Sequence, residues 1–443
     1  MTMNWRDQCR GKLVSPAQAV TRIVPGHRVM VAPFTCTPQT LCRALIDRLR
    51  SGELRDIRID HPAALAPWCE PEVLAAIELH DNYATPLNRT SVHAGKVEYL
   101  PIGIWKTDTV PDGFTANPDV FLVPVSPPDA NGWCSFGPGV WLSGTLCRNA
   151  ALVIAEVHEE FIRTGGENFV HIDRLDVVVE AEASSGAVTA APLSGEEVAA
   201  VEVICTLVAA ELVNDGDTVQ MGVGTVSASL GMYLEHKNDL GVQTELITGG
   251  IVDLVERGVV TGNRKTIHKR KVVGSACVAL AAEELARIGN NPAFELYDFG
   301  YTDDLRRLIQ IDNFVTVNNA LQVDLTGQVT AESLGHQMFT GVGGQTVFMI
   351  AGAYSNGGRS VSVTPSSSVP TATGQRISRI VPTLDRGAAV TVPRTYVDHV
   401  VTEHGIATLR GRTIKERVHA LLDIAHPDFR DELTAEAARL YAI

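Results

Sequence analysis

Short apolar runs of β type alternate along this chain with longer helical patterns, and this alternation constrains the fold more than any other feature. Parallel strands need a crossover connection, usually a helix, so the predicted fold class is α/β with largely parallel sheets. Capping-box pairs, Ser194 with Glu197 and Thr413 with Glu416, indicate two helix starts. The predicted strands are residues 28–32, 119–125, 151–157, 175–179, 218–221 and 389–392, and the predicted helices are residues 40–50, 198–213, 414–424 and 435–441.

Two segments 190 positions apart share one pattern of turn, strand and loop. The first runs from Gly26 to Thr35 (GHRVMVAPFT), the second runs from Gly216 to Thr225 (GDTVQMGVGT), and each leads into a helical pattern. Two α/β halves of similar design explain this repeat, and chance similarity between two ordinary strand–helix units is the alternative. We expect domains at residues 1–190 and 191–443, joined by the small-residue segment 183–195.

Composition argues against several classes of protein. The 443 residues carry 51 acidic and 37 basic side chains, a net charge of −14 with no basic cluster, so nucleic-acid binding is not expected. No apolar run approaches the ~18–20 residues of a membrane helix, and the first residues have no apolar core of a signal peptide. The eight cysteines form no C-x-x-C pair and the histidines form no zinc motif. We therefore expect a cytoplasmic protein with free thiols, no membrane segment and no metal site.

A short glycine turn follows the predicted strand at residues 218–221. In Gly222-Val223-Gly224 the backbone N–H groups can approach an anion at a helix N-terminus. The turn is not a dinucleotide fingerprint, because Ser227 stands where the third glycine would be needed. A tight strand-to-helix turn that binds nothing is the alternative.

A denser glycine cluster, Gly341-Val342-Gly343-Gly344-Gln345, precedes the apolar run at residues 347–353. We interpret it as a loop that faces a strand and exposes its backbone, either as a pair of oxyanion-binding N–H groups or as a phosphate cradle. It is not a P-loop, because no Gly-Lys-Ser/Thr sequence follows. The nearby Arg359 either holds a phosphate or is simply solvated.

Glu245 lies at the edge of an apolar stretch and is followed by Gly249-Gly250. This setting is compatible with a carboxylate at the carboxyl end of a strand, where α/β sheets place their ligands. On physical grounds alone, a solvated surface glutamate is the ordinary interpretation. No G-x-S-x-G motif is present, so a serine hydrolase mechanism has no support.

Several blocks in one order carry a resemblance to a known family. The longest runs from Val400 to Arg417 (VVTEHGIATLRGRTIKER) and continues from Ile424 to Leu433; others lie at residues 125–137, 258–262, 319–327, 341–345 and 378–382. With these blocks the chain resembles the acetyl-CoA hydrolase/transferase family, among the class I coenzyme A transferases that include 4-hydroxybutyrate and butyryl-CoA:acetate CoA-transferases. The resemblance extends from about Lys12 to Leu433.

The resemblance implies two related α/β domains with the active site between them. It also implies an enzyme that moves CoA between an acyl-CoA and a short-chain carboxylic acid through a covalent glutamyl-CoA thioester, with Glu245 as nucleophile and with oxyanion N–H groups at Gly343 and Gly344. The resemblance implies no bound cofactor. It implies a homodimer or a higher homo-oligomer. An acyl-CoA hydrolase that uses the same glutamate and a catalytically altered CoA-binding protein are the alternatives. The implied CoA-binding residues are Gln220, Met221, Gly222, Val223, Gly224, Asn319, Gly341, Val342, Gln345 and Arg359.

The chain departs from the family pattern at four places. Gly249-Gly250 replaces Asp-Gly, Val347 stands at a usually acidic position, and the loop at residues 32–36 is bulkier than the family's glycine-rich loop. Asn356 replaces the lysine of S-K-G-G. The first three departures bear on acyl specificity, and the fourth bears on one contact to the CoA phosphates.

Overall fold

The computed structural model describes residues 4–103, 115–182, 195–222, 224–370 and 373–443. Its helices are α1 Trp5–Gln8, α2 Pro16–Val20, α3 Gln39–Arg50, α4 Pro71–Leu74, α5 Arg89–His93, α6 Ser143–Asn149, α7 Gly195–Leu207, α8 Thr225–Ser229, α9 Ile251–Glu256, α10 Ala282–Ile288, α11 Phe299–Thr302, α12 Leu305–Leu308, α13 Gln345–Tyr354, α14 Ile414–Asp423 and α15 Arg430–Tyr441. Its strands are β1 Arg28–Val31, β2 Ile57–Asp60, β3 Ile77–Asp81, β4 Glu98–Tyr99, β5 Val120–Val125, β6 Trp133–Ser135, β7 Leu152–Val157, β8 Gly165–Gly166, β9 Phe169–His171, β10 Val177–Glu180, β11 Thr218–Met221, β12 Gly241–Gln243, β13 Leu246–Ile247, β14 Val272–Gly274, β15 Ala276–Cys277, β16 Phe294–Leu296, β17 Phe314–Asn319, β18 Gln322–Asp324, β19 Val329–Thr330, β20 Ser333–Leu334, β21 Gln337–Met338, β22 Arg359–Val363, β23 Ser367–Ser368, β24 Ile377–Ser378, β25 Ile380–Val381, β26 His399–Thr402 and β27 Gly405–Thr408.

The chain divides into two units. The first contains residues 1–189 and 273–302, and the second contains residues 190–272 and 303–443. One boundary between the units lies near residue 190, and residues 273–302 belong to the first unit. Most of the expected linker, residues 183–194, lies outside the described residues, as does Ser194 of the first capping box.

The first unit is built on a sheet with strand order β10-β7-β5-β1-β2-β3-β4, in which every neighbouring pair is parallel. Helix α3 packs one face into its core, because apolar residues recur at helical spacing along it. The buried residues of this face are Leu41, Leu45, Ile46 and Leu49.

The second unit contains a sheet with strand order β27-β26-β22-β17-β11-β12. All of its neighbouring pairs are parallel except the terminal hairpin of β26 and β27. Strands β12, β11 and β17 are neighbours, so their carboxyl ends lie along one edge of the sheet. This edge positions the candidate site.

The internal repeat is visible in the backbone. Strands β1 and β11 begin 190 positions apart, at Arg28 and Thr218, and each lies between two parallel neighbours. The turns before them contain Gly26 with φ +88° and Gly216 with φ +84°. Glycine is favoured at both positions, because a side chain makes this left-handed conformation costly. The two units therefore share this strand and the turn before it, as the repeat predicts.

Most predicted elements are confirmed to within a few residues, including the Thr413–Glu416 capping box of α14. The predicted helix at residues 198–213 begins earlier, at Gly195, and its last part, Val208–Leu212, is π-helical. Among the described residues, no helix is long and apolar enough to cross a bilayer.

One sequence-based assignment is wrong. Residues 389–392 are not a strand: only Val392 forms a bridge, to Val329, and the preceding residues are held by side chains, with Ser333 accepting from the Ala389 N–H. The apolar run at residues 347–353, which the sequence alone assigned to no element, is part of helix α13. A helix that buries most of its surface has no strong periodicity, so its sequence does not distinguish it from a buried strand.

Candidate active site

Three neighbouring strands bring predicted site residues to one edge of the second unit's sheet. Gly222 directly follows β11, Asn319 is the last residue of β17, and Glu245 lies two residues after β12. The register pairs Val219 with Val242, so three residues further on Gly222 and Glu245 lie at the same level. The carboxyl ends of parallel strands are where α/β proteins place their ligands.

Glu245 accepts two hydrogen bonds, one from the backbone N–H of Gly344 and one from the side chain of Asp303. Burial of the carboxyl group raises the pKa of Glu245 to about 7, and both hydrogen bonds act in the opposite direction. Gly344 is also the N-cap of helix α13, so the positive end of the helix dipole lies at the glutamate. The site thus combines a poorly hydrated carboxyl group with a fixed N–H donor.

Gly343 and Gly344 differ in their surroundings. A β-carbon on Gly344 would overlap Oε2 of Glu245 and would lie 2.6 Å from Oδ2 of Asp303 and 2.9 Å from the Phe348 ring. Only glycine therefore fits position 344 beside the two carboxyl groups. Gly343 has φ +53°, but a β-carbon there would meet no atom within 4 Å. Gly343 allows the turn, whereas Gly344 allows close approach to the glutamate.

Asp303 is the site residue that no sequence signal indicated. It is fully buried, it lies 58 positions after Glu245, and it belongs to no motif. An ionised carboxylate has no proton to donate, so a hydrogen bond between two carboxyl groups requires that they share a proton. The structure therefore defines Glu245 and Asp303 as a coupled pair.

A second group of contacts joins the two glycine loops through Asn319. Nδ2 of Asn319 donates to Oγ of Ser227 at 2.8 Å, and Nε2 of Gln345 donates to the backbone carbonyl of Asn319 at 3.0 Å. A β-carbon on Gly224 would overlap Nδ2 of Asn319. The Gly222–Gly224 turn and the start of helix α13 are thereby tied to the end of β17.

The remaining predicted CoA-binding residues have different surroundings. Gln220 exchanges two side-chain hydrogen bonds with Asn318, of 3.1 and 2.9 Å, and Met221 is buried in the sheet, so both side chains support the turn from within. Val223 lies outside the described residues. Gly341 is buried and Val342 is partly buried in the loop before α13.

Arg359 does not lie at this edge of the sheet, and its predicted role as a phosphate contact stays a prediction. It begins β22, at the amino ends of the parallel strands, where it forms an ion pair with Asp217. Its Nε also donates to the carbonyl of Leu212 at 2.9 Å. Asn356 lies at the same amino edge, with its backbone carbonyl accepting from Asn313 at 2.7 Å, so the missing lysine is also far from Glu245 along the strands.

The other departures from the family pattern also have local structural reasons. Gly250 is the N-cap of α9 with φ +86°, a conformation that favours glycine. Val347 is buried on helix α13, where an acidic side chain would be costly. In the first unit, the bulky loop at residues 32–36 forms a 3₁₀ turn, and its Phe34 ring contacts Trp141 edge to face.

No group of three or more His, Cys, Asp or Glu side chains within the described ranges is arranged to hold a metal ion.

Comparison with known proteins identifies the class of enzyme. The chain matches the acetyl-CoA hydrolase/transferase N-terminal domain over residues 1–189 and the C-terminal domain of the same family over residues 283–437. It is 34% identical to the 4-hydroxybutyrate coenzyme A transferase of Clostridium kluyveri over 437 residues, which cover 98% of this chain and 99% of that protein. It is 32% identical to the butyryl-CoA:acetate CoA-transferase of Anaerostipes caccae over 99% of this chain and 98% of that one.

The same relationship holds for solved structures. RipA from Yersinia pestis superposes on the full length of both chains with a TM-score of 0.89 and 32% sequence identity. A parallel α/β fold with this sequence kinship defines an enzyme of the CoA-transferase class. The chain belongs to the acetyl-CoA hydrolase/transferase family.

Proposed function

We propose that this enzyme transfers CoA from an acyl-CoA to a short-chain carboxylic acid, with Glu245 as the nucleophile and a glutamyl-CoA thioester as the intermediate. The observation that carries the proposal is the position of Glu245, held at the carboxyl edge of the sheet by the Gly344 N–H. The names of the two relatives, which contain 4-hydroxybutyrate, butyryl-CoA and acetate, support short aliphatic acids as substrates.

The reaction proceeds through exchanges at two carbonyl groups. A carboxylate oxygen of Glu245 attacks the acyl-CoA carbonyl, the C–S bond breaks, and a mixed anhydride and CoA thiolate result. The thiolate attacks the glutamyl carbonyl of the anhydride, which forms the Glu245–CoA thioester and releases the first carboxylate. An acceptor carboxylate reverses these steps and leaves as its own CoA thioester. The thioester bond energy is retained, so the cycle needs no ATP.

The surroundings of Glu245 suit this role. Removal of water makes a carboxylate more basic and more nucleophilic, in agreement with the raised pKa of Glu245. The Gly344 N–H contacts the glutamyl carboxyl group itself, so it would stabilise the oxyanion that forms when the thiolate attacks the glutamyl carbonyl. In this proposal the N–H of Gly344 therefore acts on the glutamyl oxygen.

CoA would bind along the edge formed by the Gly222–Gly224 turn, Asn319 and the loop from Gly341 to Gln345. Glycine at position 224 allows the side chain of Asn319 to pack against this turn, and Asn319 also accepts from Gln345 at the start of helix α13. Arg359 is not included in this proposal, because it is committed to Asp217 at the opposite edge.

Hydrolysis by the same glutamate is the second candidate, since the matching family includes hydrolases. The two activities differ only in whether water or an acid consumes the thioester. The test is incubation with an acyl-CoA, with and without an acceptor carboxylate, while acyl exchange and free thiol are measured. Exchange that depends on the acceptor, with little thiol release, supports the transferase. Equal thiol release without acceptor supports the hydrolase, and neither product would support a CoA-binding protein without catalysis.

A further inference from the structure

The buried Asp303 takes no part in the reaction as proposed above, although it touches the nucleophile. Oδ2 of Asp303 lies 2.6 Å from the position that a β-carbon on Gly344 would take, and Oε2 of Glu245 overlaps the same position, so the two carboxyl groups lie side by side. The next residue, Asp304, serves a different purpose: it accepts from the Arg306 N–H at 3.0 Å to cap helix α12 and pairs with the side chains of Arg306 and Arg307. Of two adjacent aspartates, only the first contacts the site.

We propose that Asp303 keeps its proton through the catalytic cycle and donates it to a carboxyl oxygen of Glu245, as the second donor beside the Gly344 N–H. This inference rests on the proposed role of Glu245 as nucleophile. Two donors on one oxygen leave the other oxygen of Glu245 as the attacking atom. When the thiolate later adds to the glutamyl carbonyl, the same two donors stabilise the oxyanion.

The charge balance of the site favours one proton on the pair. Glu245 forms no ion pair with a cation among the described residues; its partners are Asp303 and Gly344. Two ionised carboxylates placed side by side would repel each other strongly, which favours one proton held between them. A carboxylic acid kept neutral by its surroundings can act as a hydrogen-bond donor at neutral pH.

The proton is not consumed in any step. Glu245 begins as a carboxylate and ends as a carboxylate, the thiolate leaves and returns without a proton, and Asp303 remains a neutral acid throughout. The active form is therefore the pair with one proton. Addition of a second proton neutralises the nucleophile, and loss of the only proton removes the donor.

If only the Glu245–Asp303 pair with one proton is active, kcat/KM has a bell-shaped dependence on pH. The acid limb reports protonation of Glu245, whose pKa is raised to about 7 by burial, so activity falls as pH decreases below that value. The alkaline limb reports loss of the Asp303 proton. The two limbs belong to the pair, and only the alkaline limb depends on Asp303 being an acid.

The experiment compares Asp303→Asn, Asp303→Ala and the neighbouring control Asp304→Asn over a range from about pH 5 to about pH 10. Asp303→Asn keeps an N–H donor that cannot ionise, so we expect turnover within about tenfold of wild type and no alkaline limb from the pair. Asp303→Ala removes the donor, and we expect turnover to fall ~10²–10³-fold. Asp304→Asn should lower the melting temperature and leave the pH profile unchanged.

Two results would overturn the inference: a folded Asp303→Ala enzyme with wild-type turnover, or an Asp303→Asn enzyme with the wild-type alkaline limb. If neither variant folds, the wild-type profile decides, because the absence of an alkaline limb contradicts an obligatory proton on Asp303. A Glu245→Gln variant separates this inference from the proposed function. If the Glu245→Gln enzyme still exchanges acyl groups, Glu245 is not the nucleophile and the proposed function fails. If that enzyme is inactive but the Asp303 variants have wild-type turnover and pH profile, only the role of Asp303 fails.

Discussion

The two edges of the second unit's parallel sheet hold their charged groups in opposite ways. At the amino edge, Arg359 is neutralised by Asp217 and also donates to a backbone carbonyl. At the carboxyl edge, Glu245 has no cationic partner among the described residues and is held by an N–H group and a second carboxyl group. The ion pair secures the fold, whereas the unneutralised, desolvated glutamate has the perturbed pKa that is typical of functional sites.

The largest expected effect is that of removing the carboxyl group at the carboxyl edge. Glu245→Ala should reduce acyl exchange by at least about 10⁴-fold, because the side chain supplies the oxygen that forms the covalent bond. Circular dichroism and a melting curve would show that the variant remains folded. Full exchange activity in a folded Glu245→Ala enzyme would remove the proposed nucleophile.

The next effect distinguishes the two adjacent glycines. Gly344→Ala places a methyl group against Glu245 and Asp303, so turnover should fall by ~10²–10³-fold as the donor moves out of line. Gly343→Ala is the matched control: it has open space but a positive φ, and it should cost about 1 kcal/mol of stability. Measurement of turnover and melting temperature for both variants separates the roles. Equal turnover in the two variants would make the loop purely structural.

A smaller effect is expected where the glycine turn is tied to β17. Asn319→Ala removes the hydrogen bond to Ser227 and the packing against Gly224. The loss of one such hydrogen bond is worth about 1 kcal/mol, so KM for the acyl-CoA should rise about fivefold while kcat changes less. Initial rates at several acyl-CoA concentrations test this prediction. A decrease confined to kcat would place Asn319 in the chemical step instead of in CoA binding.

The smallest effect on catalysis is expected at the amino edge. Arg359→Ala leaves Asp217 buried without its partner and should cost about 3 kcal/mol of stability. The KM for acyl-CoA should stay within about twofold of wild type, since one pair at the far edge adds no contact to the site. A large increase in KM in the folded variant would restore Arg359 as a phosphate contact.

The sequence predicts the elements of this molecule that are determined by residues close together in the chain. Strands β1 and β11 follow glycine turns, and helix α14 has its capping box. The ion pair of Arg359 was not predicted, because its partner, Asp217, is 142 positions away in the sequence. Asp303 was not predicted, because nothing near it in the sequence indicates Glu245.

Other expectations are not decided by the fold. The placement of the active site between two domains, the homo-oligomeric state and the cytoplasmic location stay predictions. The role of Glu245 was indicated by the resemblance of the chain to a family. The residues around Glu245 alone favoured an ordinary surface glutamate. The contacts of its carboxyl group are new information from the structure.

The central claim, that Glu245 becomes covalently bound to CoA, is tested most directly by trapping that bond. The enzyme is incubated with an acyl-CoA and borohydride, digested, and its peptides are analysed by mass spectrometry. We predict that activity is lost and that the peptide containing Glu245 carries the reduced side chain, only when acyl-CoA is present. Reduction at another carboxyl group, or full acyl exchange with no trapped residue, would contradict the account.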